Sequence, residues 1–204
     1  MQKKGRSANH SSSFPKSGTC QSMRIRNKWR NKKPRTLTDI ANAVAYIIWQ
    51  IALHYGKNLH TEKFDYESDE QRTSVIREYL YFLCHITDRY TFNRLSTKER
   101  KYFVTTLVKD TARQYQRNVE QIAGAGCHGK AFLCSANMKF DQYANGDFDQ
   151  DMPGYSARRM LGNLIQEIMG DSQTNKWVVQ QIIDIDSLEA AEQLIKGIGP
   201  LIED

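Results

Sequence analysis

From Thr36 onward the apolar residues recur at helical spacing. Ile40, Val44, Ile47, Ile48, Ile51 and Tyr55 follow an i, i+4, i+7, i+8, i+11, i+15 pattern, which predicts a helix over 38–55. Thr38 is the expected N-cap and Gly56 the expected residue just past its end. Tyr46, Trp49 and Leu53 add a second apolar line, leaving only a strip through Asp39, Asn42, Gln50 and His54 polar. A helix apolar on most sides belongs at the centre of a core.

Two longer helices are expected next. Ser68-Asp69-Glu70-Gln71 reads as a capping box ahead of Ile76, Tyr79, Leu80, Leu83, Ile86 and Tyr90. Ser96-Thr97-Lys98-Glu99 is a full S-x-x-E box, followed by the stripe Phe103, Leu107, Val108, Ala112, Tyr115, Val119 and Ile122. The short connection makes the pair an antiparallel hairpin. Residues 124–154, rich in Gly, Asp and Asn with scattered aromatics, read as a long ordered loop folded against the bundle. Helices resume over 156–169, 175–185 and 187–196. With no alternating strands and no internal repeat, the expected fold is all-α, a helical bundle of about six helices spanning 36–204.

Charge changes this picture at one end. Eleven of the 29 Lys and Arg lie in the first 36 residues, which contain no acid; the other 168 residues hold 18 basic and 23 acidic side chains, a balance of −5. The high isoelectric point therefore belongs to residues 1–35. That segment is poor in core-forming residues and carries Ser11-Ser12-Ser13, Pro15 and Gly18, so it is expected to be a disordered basic tail. Arg24, Arg26, Lys28, Arg30, Lys32, Lys33 and Arg35 suit an acidic partner, with nucleic acid the leading candidate and Trp29 available to stack on a base. An anionic membrane surface, or simple solubilisation, accounts for the same charges. Met23 offers an alternative start that would keep residues 24–35.

No stretch approaches the roughly 20 apolar residues needed to span a bilayer. The start lacks the apolar core of a secretion signal, so a cytoplasmic location and reduced, buried thiols at Cys84 and Cys134 are expected.

Candidate chemistry in the body is sparse. Tyr81, His85, Asp88 and Arg89 share one line of the second predicted helix, and His85 and Asp88, three apart, can face each other. A carboxylate beside an imidazole can tune a general base or orient a metal ligand; a polar seam between helices uses the same residues. Cys127-His128 followed by Cys134 lacks zinc-clip spacing. Asp147, Asp149 and Asp151 resemble the opening of an EF-hand calcium loop, but Met152 and Arg158 replace its Gly and Glu. Acids that simply precede a helix N-terminus fit equally well. Lys109, Arg113 and Arg117 form a cationic ridge diluted by Asp110 and Glu120. Leu194 to Leu201 resembles the glycine hairpin of helix-hairpin-helix DNA-binding modules over half the motif; a Gly197 cap ending the last helix explains the same residues. Phosphate-loop, dinucleotide, nucleophile-elbow and zincin motifs do not occur, so no cofactor is expected. These features favour a non-catalytic binding or adaptor protein. The rivals are a metal-dependent or acid–base enzyme built on His85, Asp88 and the 127–151 loop, and a self-assembling helical protein.

Overall fold

A computed structural model describes residues 35–170, 172 and 174–203. The tail positions Arg24, Arg26, Lys28, Trp29, Arg30, Lys32 and Lys33 lie outside these residues; Arg35 is included and exposed.

The body is an all-α bundle. Helices α1 (Leu37–Thr61), α2 (Asp69–Thr91), α3 (Thr97–Ala123), α4 (His128–Ala144) and α5 (Tyr155–Met169) lead to a continuous helical run. That run comprises α6 (Val178–Gln181), a π-helical turn (Ile182–Asp186) and α7 (Ser187–Ile202). The only sheet among the described residues is a small antiparallel hairpin, β1 (Phe148–Asp149) with β2 (Met152–Pro153), in which Phe148 pairs with Pro153.

The helix starts follow from capping chemistry. Ser96 and Glu99 form the reciprocal box at α3, and Ser68 Oγ accepts from Gln71 N at α2. At α1 the cap is Thr36, boxed with Asp39, and not Thr38, which instead bonds Tyr102 Oη at 2.8 Å. Gly56 does not end α1. It lies buried inside the helix because α2 crosses there: a Cβ at this position would stand 2.6 Å from Ile76 Cγ1. At α3 the expected stop is found, with Gly124 at φ +83°.

Three further expectations are corrected. The central helix is α2, not α1. Residues 78–87 of α2 are all buried, and α2 packs against α1, α3, α4, α5 and α7. Helix α1 keeps an exposed line through Asn42, Tyr46, Gln50, His54 and Lys57. The burial of α2 is supported by internal pairing of its polar groups. Thr87 Oγ1 donates to Leu83 O, Tyr81 Oη to Phe132 O, and Glu78 pairs with Lys139 Nζ at 2.7 Å.

Second, most of the expected 124–154 loop is helix α4. Its inward stripe is Phe132, Ala136, Phe140 and Tyr143, at i, i+4, i+8 and i+11, with Phe140 half-buried and the others buried. Third, α7 runs through Gly197, Gly199 and Pro200 to Ile202, so those residues form neither a cap nor a hairpin. Pro200 lies in the final turn of α7.

Candidate functional site

Helix α2 presents His85 toward α4 and the hairpin, and the covering segment closes over it with aromatic rings. The imidazole centroid lies 5.9 Å from Phe140, 5.7 Å from Tyr143 and 5.5 Å from Phe148. His85 is 3% exposed, and neither ring nitrogen has a hydrogen-bond partner. Burial is the main cause that pushes its pKa down to about 4. Asp88 opposes the shift, and Arg89 and Arg100 add to it. The ring is therefore neutral at physiological pH.

Asp88 does not orient it. Its two oxygens accept a fork from Arg100, Nε at 2.8 Å and Nη2 at 2.5 Å. Arg100 reaches Asp88 because the tight α2–α3 turn sets the first turn of α3 beside the last of α2. The predicted pair thus shares a helix face, but the carboxylate serves a half-buried ion pair and the imidazole faces aromatic carbon. Tyr81, on the same line, stacks on Phe132 at 4.4 Å. Arg89 points outward and lies over the Phe148 ring, 5.3 Å from its centroid.

The three aspartates of the hairpin part company. Asp147 acts as a remote cap for α5: its Oδ1 accepts from Ser156 N at 3.0 Å and from Ser156 Oγ, while its own N–H donates to Ser156 Oγ. The N-cap residue of α5 is Gly154, which has no side chain to do this. Asp151 takes a fork from Arg94, Nη1 at 2.9 Å and Nη2 at 2.8 Å. Asp149 is exposed on β1. The carboxylates do not form a common ligand set, and among the described residues no group of three or more His, Cys, Asp or Glu side chains is placed to hold a metal.

Of the cysteines expected to be buried, Cys84 is. Its Sγ lies 3.6 Å from Thr111 Oγ1, and burial pushes the thiol up to about 12. Cys134 is exposed, because it falls on the outer face of α4. Lys109, Arg113 and Arg117 are exposed on α3, with Arg113 paired to the buried Asp110.

A second buried cluster lies on the other side of α2, where sequence reasoning saw only core. Asp186, fully buried in the π turn, accepts from Tyr79 Oη at 3.1 Å and from Gln181 Nε2 at 3.0 Å. Desolvation raises its pKa to about 6, and the two donated hydrogen bonds limit the rise. Tyr55 stacks on Tyr79 at 5.9 Å, donates to Glu189 Oε2 and accepts from Gln193 Nε2. The Gln181–Asp186 spacing of five is the one trace of this arrangement in the sequence, since a π turn brings i and i+5 together.

Comparison of the chain with protein-family models, curated proteins and solved structures gives no match.

Proposed function

We propose that this chain is a non-catalytic binding or adaptor protein whose basic leading segment engages an acidic partner, nucleic acid being the leading candidate. The observation that carries the reading is the segregation of eleven basic and no acidic side chains into 36 residues, ahead of a body whose balance is −5. Counterion release from a phosphate backbone rewards such a segment, and Trp29 within it supplies a stacking surface. A cytoplasmic location belongs to the same reading. Among the described residues no helix is long and apolar enough to cross a membrane.

The side chains that an acid–base enzyme would use are committed elsewhere: Asp88 to Arg100, Asp151 to Arg94, and the His85 ring to its aromatic cover. This leaves the enzyme reading without a base oriented by a carboxylate.

The test keeps the full chain and replaces Arg24, Arg26, Lys28, Arg30, Lys32 and Lys33 by Gln. Fluorescence anisotropy with a labelled oligonucleotide at low salt should show at least a tenfold loss of affinity. Equal binding by the variant and the parent would remove this segment from the account.

A further inference from the structure

We infer that the α2–α3 end of the bundle carries a second contact for nucleic acid, in which an unpaired base of a single strand stacks on Phe92 beside Arg89. The inference rests on the reading just given and adds to it the form of the nucleic acid and a residue of the folded body.

Phe92 is the C-cap residue of α2 and is 53% exposed, although it is a large apolar side chain. Two guanidinium groups hold the ring in place: the Arg100 carbon lies 4.8 Å from its centroid and the Arg89 carbon 5.8 Å. No other exposed ring among the described residues has two guanidinium groups against it. The two arginines differ in what remains for a ligand. Arg100 is neutralised by Asp88, so it fixes the ring. Arg89 has no carboxylate partner among the described residues and is exposed, as are Lys98 and Lys101 on the first turns of α3. A fixed ring with half its surface open, flanked by unneutralised cations, suits a base that offers a π-face joined to a phosphate. A duplex has no free base face to offer, which is why the partner is assigned as a single strand.

Position supports the assignment. The Thr38–Tyr102 hydrogen bond ties the first turn of α1 to the same first turns of α3 that carry Arg100. Arg35, from which the basic segment departs, is therefore at the Phe92 end of the bundle.

The experiment uses the full chain and its Phe92→Ala and Phe92→Trp variants, with matched circular dichroism melts. Binding is measured at one low salt concentration to labelled oligothymidylate and to the same strand annealed to oligoadenylate. Phe92→Ala should weaken single-strand binding by roughly tenfold, within the range found for removal of a stacking ring, and leave duplex binding within about twofold. Phe92→Trp should restore the single-strand affinity. Unchanged single-strand binding by Phe92→Ala, equal loss on both forms, or a Trp variant as weak as the Ala variant would overturn the stacking site. If the Gln-substituted leading segment still lost affinity, the function proposed above would stand without that site. No oligonucleotide binding by the parent protein would overturn both. Competition by polyglutamate as effective as that by oligothymidylate at equal charge would assign the surface to an acidic protein and overturn the inference.

Discussion

His85 and Asp186 are buried on different sides of α2, and their pKa values move in directions that oppose each other as stability terms. Burial lowers His85 from its ordinary 6.5 to about 4, so between those values the unfolded chain binds more protons than the folded one. Its contribution is complete above pH 6.5 and is lost as pH falls through 4. Asp186 is raised from 3.8 to about 6, so the folded state is the one that holds the extra proton. That contribution is complete below pH 3.8 and is lost as pH rises through 6. Each shift corresponds to about 3 kcal/mol at the usual ~1.4 kcal/mol per pH unit, and the two windows overlap. Relative to the parent, His85→Phe should therefore lose stability as pH rises from 4 to 6. Asp186→Asn should gain it as pH rises from 3.8 to about 6. Urea titrations at pH 4, 5, 6 and 7 measure both, and parallel curves for all three proteins would contradict the assignment. His85 stands out in the sequence only through its spacing to Asp88, and Asp186 does not stand out, being one acid among Asp184, Asp186 and Glu189. Only three-dimensional packing removes water from them.

At the scale of elements, α4 and the hairpin decide how the core is closed. Helix α4 hides in the sequence because its inward stripe is flanked by Gly124, Gly126 and Gly129, and because Leu133 and Met138, which blur the period, face solvent. Its register is fixed where Gln116 of α3 accepts from Gly129 N–H and donates to Gly126 O, and again where Lys139 reaches Glu78. Glu78 and Lys139 side chains are 3% and 12% exposed. Removing this cation leaves the buried carboxylate with only the looser contact of Arg77 Nε, 3.8 Å from Oε1, so Lys139→Ala should cost about 3 kcal/mol in chemical denaturation. Lys139→Met, paired with Glu78→Gln, should recover most of that loss. The hairpin works through Asp147. Asp147→Ala leaves the Ser156 amide and hydroxyl at the start of α5 without their acceptor and should cost about 1 kcal/mol, the usual cost of losing a helix cap. The alternation of acids at 147, 149 and 151 that suggests a cation loop is, in the fold, one helix cap, one ion pair and one surface residue.

For the whole molecule, the governing feature is charge divided along the chain: acid-free at the start and net negative after it. If the leading segment meets phosphates, the logarithm of the binding constant should fall linearly with the logarithm of salt concentration. Each cation removed from the contact should reduce that slope by roughly 0.7 for a single strand and 0.9 for a duplex. A salt titration of the parent and the six-fold Gln variant reads the number of contacts directly, and a salt-independent constant would exclude phosphate neutralisation. The sequence by itself determined the all-α class, the capped starts of α2 and α3 and the charge division. All three depend on local spacing: a 3.6-residue apolar period, a side chain three residues from an amide, a count of ionised groups. The tertiary structure alone decided that α2 is the central helix, that α1 and α7 continue through their glycines, and that Asp88 serves Arg100 instead of His85. Those outcomes depend on which helix crosses which. A glycine that ends one helix admits a neighbour in another, and a polar residue reads as surface until a partner from a distant segment satisfies it inside.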